Sequence, residues 1–287
     1  MKGIVAAVPT PLDAHGAPVK DTFLEHCTWA LANGCDALNI LGTTGEANSL
    51  GLAHRKQVMA WAAEAFDTSR LMVGTGLTSL EDTLDLTLAA ADMGYGVALV
   101  LPPFYYKPVT EEGLVAWYEA LDRALGATPI EIYFYNFPQM TGLKIPADVV
   151  ERLAKAHPKR FTGIKDSSGD LDYCRELVRR LPDLKVFPSS ETALAEGPGA
   201  GFAGCISATV NISAPLCARL LQDPADEALA GRVASIRADI AAHPLVPAVK
   251  YLVGRRAAER AWNRVLPPFQ QLDDAACGSL DRIAETL

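Results

Sequence analysis

Several signatures are missing from this 287-residue sequence, and each absence removes a class of function. Its six cysteines stand apart at positions 27, 35, 174, 205, 217 and 277, with no C-x-x-C, and its five histidines add no metal-binding spacing. That pattern argues against zinc modules and leaves reduced thiols that pack as small apolar groups; neither a metal nor an organic cofactor is expected. No G-x-G-x-x-G or G-x-x-x-x-G-K-[ST] loop follows the first apolar run, which passes into Pro9-Thr-Pro-Leu-Asp13. A doubly wound nucleotide-binding sheet, the main rival fold, loses its usual phosphate loop. Basic charge is in deficit, with 26 Lys and Arg against 34 Asp and Glu and a net charge of -8, which disfavours nucleic-acid partners. Long hydrophobic runs are also missing. The first run, residues 4–8, is stopped by Pro9 and is too short for a signal peptide or a membrane span. A cytoplasmic protein with no membrane partner is expected.

What is present is a rhythm. Short apolar runs recur at residues 4–8, 37–41, 71–74, 97–101, 130–135, 162–165, 185–187 and 202–207, with starts about 17 to 34 residues apart. Each interval has room for a strand, a loop and usually a helix, and eight such units predict an α/β protein with a (β/α)8 (TIM) barrel. Residues 19–33 carry apolar groups at Phe23, Leu24, Cys27, Ala30 and Leu31 and end at Asn33-Gly34. Ser79 with Asp82 reads as a helix cap, and residues 170–181 end at Pro182. Helical patterns at 214–220, 223–242, 246–253 and 257–266 then predict a C-terminal extension, dividing the chain into a barrel over 1–212 and helices over 213–287.

In such a barrel, chemistry gathers at the C-terminal ends of the strands. Lys165 ends the sixth run, in Phe161-Thr-Gly-Ile-Lys-Asp-Ser-Ser168. An amine delivered to a polar barrel mouth can form a Schiff base and activate a carbonyl compound without a cofactor. Tyr135 ends the fifth run beside Asn136; a phenol moves protons only if a partner orients it, and Thr44 is the first candidate, with Tyr105 or Tyr106 completing a relay. Packing alone is the other reading of these aromatics. The turn Gly42-Thr-Thr-Gly-Glu46 can aim N–H groups and the Thr43 and Thr44 hydroxyls at a small carboxylate, or simply cap the next helix. Glu46 reads as a helix-start charge. Ser189, Ser190 and Glu191 at the seventh strand end can grip substrate hydroxyls, unless Ser190 serves as a helix cap. Asp166 is expected to turn away from the mouth and bond a neighbour. Lys250 reads as a solvated end, and Arg255 and Arg256 as a surface face.

Assembled in order, the motifs Gly42-Thr-Thr-Gly-Glu46, Tyr135-Asn-Phe-Pro138, Gly163-Ile-Lys-Asp-Ser-Ser168 and Gly204-Cys-Ile-Ser207 resemble the dihydrodipicolinate synthase / N-acetylneuraminate lyase superfamily of pyruvate-dependent class I aldolases. The resemblance runs in register from Ile4 to about Asn211. It implies Lys165 as the Schiff-base lysine, Tyr135 as proton carrier, and Thr43 and Thr44 as the pair around the pyruvate carboxylate. It further implies that Tyr105 reaches across a dimer interface, that the Ile206 carbonyl faces the bound ketoacid, and that the enzyme is a homodimer or homotetramer. Its partners would be pyruvate and an aldehyde, or their aldol adduct.

Met140 departs from the synthase pattern, which places there an arginine that holds a substrate carboxylate. A thioether has no donor and no charge, so the swap should cost such a substrate about 2–5 kcal/mol unless Lys107 or a nearby arginine substitutes. The expected substrate is therefore a 2-keto-3-deoxy sugar acid held by Ser189, Ser190 and Glu191. Dihydrodipicolinate-type condensation is the alternative. A dehydratase or hydratase-aldolase of aromatic breakdown, served by Phe104, Tyr105, Tyr106 and Phe137, is another.

Overall fold

A computed structural model describes residues 1–285. Eight strands form one sheet in the order β7-β6-β5-β4-β3-β2-β1-β8. They are β1 (Gly3–Ala7), β2 (Ala37–Ile40), β3 (Leu71–Gly74), β4 (Val97–Val100), β5 (Glu131–Asn136), β6 (Phe161–Asp166), β7 (Lys185–Pro188) and β8 (Gly204–Ser207). Every strand pair in the sheet is parallel. The two remaining edges meet where the Ala203 N–H donates to the Val186 carbonyl at 2.9 Å. The close approach of β1 and β8 requires glycine: a Cβ on Gly204, at φ 141°, would lie 1.9 Å from the Gly3 carbonyl oxygen.

Both faces of each strand are buried, so the strands read as continuous apolar runs rather than alternating ones. The period of two still sorts the side chains. Val5, Ala7, Ala37, Met72, Leu99, Tyr133, Tyr135, Phe187 and Ile206 pack together in the lumen. Their neighbours Ile4, Ala6, Leu38, Ile40, Val73, Val100, Phe134, Ile164 and Val186 join the outer core beneath the helices.

The barrel helices are α1 (Lys20–Ala32), α2 (Leu52–Ala65), α3 (Leu80–Asp92), α4 (Glu111–Leu125), the single-turn α5 (Pro138–Thr141), α6 (Ala147–Ala156), α7 (Leu171–Arg180) and α8 (Val210–Gln222). Ser79 caps α3 by accepting from the Asp82 N–H, and Asp170 caps α7 by accepting from the Tyr173 N–H. Between β7 and β8 the chain makes only short 3₁₀ turns. Helix α8 packs on β1 and runs through residue 212.

Beyond it lie α9 (Glu227–Ala241), α10 (Leu245–Ala257) and α11 (Asp274–Ala284). Helix α9 starts later than its apolar pattern suggests, because Asp226 caps it by accepting from the Leu229 N–H. The helix expected over 257–266 does not form. Ala258 takes a left-handed φ of 55°, and a 3₁₀ turn, Arg260–Asn263, buries Trp262 instead. Helix α11 had no counterpart in the sequence reading. No described helix is long and apolar enough to cross a membrane.

Candidate active site

Strand pairing brings two candidate side chains together. Tyr135 and Lys165 are register partners on β5 and β6, so both enter the lumen side by side. Lys165 is 4% exposed, and its Nζ lies 4.5 Å from the centroid of the Tyr135 ring. Gly163, one lumen position below Lys165, makes room for the Tyr133 ring, which would stand 2.7 Å from any Cβ there. Among the described residues, no carboxylate pairs with Lys165. Asp166 is the adjacent acid, but alternation turns it to the helix side. There it accepts from Asn136 Nδ2 at 2.6 Å and from the Ser168 hydroxyl at 2.7 Å. Burial raises the Asp166 pKa, against the opposing pull of those hydrogen bonds. Asn136 in turn accepts from the Ile145 N–H, so the two strand ends are fastened behind the site.

The Tyr135 hydroxyl lies 3.0 Å from Thr43 Oγ1, not from Thr44, which corrects the expected partner. The turn is bracketed by two non-glycine residues at positive φ, Leu41 at 56° and Glu46 at 54°, and that geometry sends the first threonine toward Tyr135. Thr44 is buried in the same turn. The turn is held from several sides. Thr10 Oγ1 donates to the Gly45 carbonyl at 2.8 Å. The buried Arg55 donates to the Ala47 carbonyl at 2.7 Å and to Asn48 Oδ1 at 3.0 Å. Burial lowers the Arg55 pKa to about 10.

Glu46 does stand at the start of a 3₁₀ turn, Ala47–Ser49, but its carboxylate is not a free helix-start charge. It pairs with Lys250 Nζ and accepts from the Leu266 N–H at 2.6 Å. Lys250 is thus fully buried rather than solvated, because α10 lays that face against the barrel. Burial lowers the Lys250 pKa, and Glu46 opposes the shift.

At the seventh strand end the expected grip on substrate hydroxyls is mostly taken up internally. Glu191 is fully buried, accepting from Ser207 Oγ at 2.6 Å and from Thr209 Oγ1, and pairing with Arg237 at 2.8 Å. It faces β8 and α9, which removes it from the mouth. Ser190 is a cap, bonded to the Thr192 N–H and hydroxyl. Ser189 donates its backbone N–H to the Asp166 carbonyl at 2.7 Å. Ile206 lies buried in the lumen opposite Val5.

Across the mouth, Tyr105 and Tyr106 are 74% and 82% exposed and stack edge to face at 5.2 Å. Tyr105 does not reach this chain's own Tyr135. Met140 is 63% exposed and, with Thr43, Leu101, Phe104 and Phe269, lines a cavity of about 200 Å³. Lys107 folds over the adjacent turn: a Cβ on Gly142 would meet its Nζ at 3.0 Å.

The sequence reading overlooked two buried polar groups, Asn39 and His26. Asn39 sits in the lumen beneath Gly42, and among the described residues neither the nitrogen nor the oxygen of its carboxamide has a hydrogen-bond partner. His26 bonds Asn211 Oδ1 through Nε2 and Arg256 through Nδ1, and burial followed by the Arg256 charge pushes its pKa down to about 3. Arg256 also stacks 3.4 Å above the Trp29 ring, and both it and Arg255, which pairs with Asp281, are exposed, as the sequence suggests. No motif marks any of these groups. Among the described residues no cluster of three or more His, Cys, Asp or Glu is arranged to hold a metal ion.

Comparison with known proteins identifies the family. Residues 1–286 match the Dihydrodipicolinate synthetase family. An uncharacterized DapA-like lyase of Chloroflexus aurantiacus is 34% identical over 242 residues, 84% of this chain and 80% of that one. The crystal structure of dihydrodipicolinate synthase from Agrobacterium tumefaciens superposes with a TM-score of 0.93 at 30% identity, covering 100% of this chain and 99% of that one. YagE, a prophage protein of the dihydrodipicolinic acid synthase family from E. coli solved in complex with pyruvate, superposes with a TM-score of 0.91 at 25% identity, covering 100% and 98%. The chain belongs to the dihydrodipicolinate synthetase family and is a Schiff-base-forming class I aldolase or lyase.

Proposed function

We propose that this enzyme joins or releases pyruvate through an iminium on Lys165. One observation carries the reading: an amine with no carboxylate partner among the described residues lies 4.5 Å from the ring of a tyrosine whose hydroxyl is bonded to Thr43. The neutral Lys165 amine attacks the keto carbon of pyruvate and forms a carbinolamine. Tyr135 delivers the proton with which its hydroxyl leaves as water. The iminium nitrogen then draws electrons from the substrate, so a C3 proton departs and an enamine remains. The enamine carbon attacks an aldehyde carbon, Tyr135 protonates the new alkoxide, and water hydrolyses the adduct to return the free amine. Reversed, the same steps cleave the C3–C4 bond and release pyruvate. Thr43 and Thr44 hold the acid's carboxylate, and the Ile206 carbonyl faces the bound ketoacid.

For the second substrate, synthase-type condensation with a small carboxylated aldehyde is now better supported than a sugar acid. Glu191 and Ser190 are occupied, which removes most of the hydroxyl grip, and Lys107 folds over the turn after Met140, where it can supply the missing positive charge. The apolar wall of Leu101, Phe104, Met140 and Phe269 favours a second reading, an uncharged apolar aldehyde.

Turnover of pyruvate with aspartate semialdehyde, an aryl aldehyde, and the cleavage of a 2-keto-3-deoxy sugar acid separates these readings. Fastest turnover of the semialdehyde, weakened about tenfold or more by Lys107→Ala, is expected. Preference for the aryl aldehyde would select the second reading, and rapid cleavage of the sugar acid would overturn both. A dimer or tetramer in which Tyr105 serves the neighbouring site is part of the proposal.

A further inference from the structure

We propose that Glu46 and Lys250 are positioning residues, through which the C-terminal helical extension sets the conformation of the turn that receives the keto-acid carboxylate. This rests on the reading of Lys165 as the Schiff-base lysine with Thr43 and Thr44 around the acid.

Glu46 closes the Gly42-Thr-Thr-Gly-Glu46 turn at φ 54°, a left-handed conformation unusual for a glutamate. Such a conformation persists where the surroundings over-determine it. Here the turn's own bonds, from the Glu46 N–H to the Thr43 carbonyl at 3.0 Å and from the Gly45 N–H to the Gly42 carbonyl at 3.1 Å, share that task with the side chain. One carboxylate oxygen takes Lys250 of α10, and the other takes the Leu266 N–H at 2.6 Å. Both charged groups are fully buried, and 204 positions separate them in the chain. A buried ion pair is weak support for stability alone, because desolvation opposes the attraction. Its geometric consequence is plain: Thr43, three residues before Glu46, carries the hydroxyl that meets Tyr135. Releasing Glu46 frees the turn and takes that hydroxyl out of register with the phenol. The extension is therefore part of the active site, although none of its side chains needs to touch substrate.

The test separates positioning from mere folding. The double variant Glu46→Gln/Lys250→Met removes both buried charges at nearly constant shape, so it should fold and melt like the wild type. Its KM for pyruvate should rise about tenfold, within the usual range of coupling between linked sites, with a smaller fall in kcat. Wild-type KM and kcat in the folded double variant would overturn the proposal. A second measurement needs only the wild-type protein. Coupling is reciprocal, so pyruvate should slow hydrogen exchange at the Leu266 amide severalfold. That amide is well isolated, because Pro267 and Pro268 have none. Unchanged exchange at saturating pyruvate would also overturn the proposal. Borohydride reduction of the wild type with pyruvate is the control. If no adduct forms, the Schiff-base reading has failed and the proposal falls with it; if the adduct forms and KM stays put, positioning alone has failed.

Discussion

Lys165 and Lys250 are both withdrawn from water, yet their surroundings are opposite. Lys250 arrives on a helix, meets the Glu46 carboxylate and is fixed there. Lys165 arrives on a strand end, where the adjacent acid turns to the other face and bonds Asn136 and Ser168. Its Nζ stands over the face of the Tyr135 ring. Period two in a buried parallel strand does this: consecutive residues Lys165 and Asp166 fall on opposite faces, so the adjacent carboxylate does not pair with the amine, as the proposed nucleophilic role requires. Glu191 repeats the Lys250 pattern with Arg237 and three hydroxyl donors. Lys250 and Glu191, both buried, are ion-paired, whereas Lys165, the proposed nucleophile, has no carboxylate partner among the described residues.

Substitutions can break that contrast. The largest effect is expected at Lys165. Lys165→Ala should lower turnover by about 10⁴-fold or more and leave the melting temperature unchanged or raised, since it removes a buried amine with no carboxylate partner among the described residues; full activity would assign the chemistry elsewhere. Tyr135→Phe should cost about 10²- to 10³-fold in kcat while the iminium still forms, slowly, as borohydride trapping would read. Lys250→Met should do the reverse of Lys165→Ala in a stability measurement. It strands the Glu46 carboxylate in the interior and should destabilise by about 3–5 kcal/mol, seen as a lowered denaturant midpoint.

The smallest effect tests whether the contrast extends to neutral bases. His26 is held neutral by burial and Arg256, at a pKa of about 3, whereas an unfolded histidine titrates near 6.5. Between those values the unfolded chain binds the extra proton. The contribution is therefore complete above about pH 6.5 and is lost as pH falls toward 3, by up to about 1.4 kcal/mol per pH unit. His26→Gln should reduce the stability difference between pH 7 and pH 5; an unchanged difference would mean that His26 does not titrate this way.

All eight strands were legible as apolar runs, each within one residue at its ends except at Phe202, two residues before Gly204, because burial on both faces leaves no ambiguity of period. Lys165 and Tyr135 were legible for the same reason, as the polar residues that end such runs. The choice of Thr43 over Thr44 was not, since it depends on positive φ at Leu41 and Glu46, two residues that carry no glycine signal. Nor was the burial of Lys250: a lysine on an amphipathic helix looks solvated until the carboxylate 204 positions away is known. Glu191 misled for the opposite reason. It stands at a strand end like Lys165, but Ser207, Thr209 and Arg237 reach it first.

The most direct measurement treats the protein with pyruvate and borohydride and maps the adduct by peptide mass spectrometry. A single reduced pyruvyl group on Lys165, with Lys250 unmodified, is the predicted result. An adduct on Lys250 or another residue, or none at all, would contradict the account.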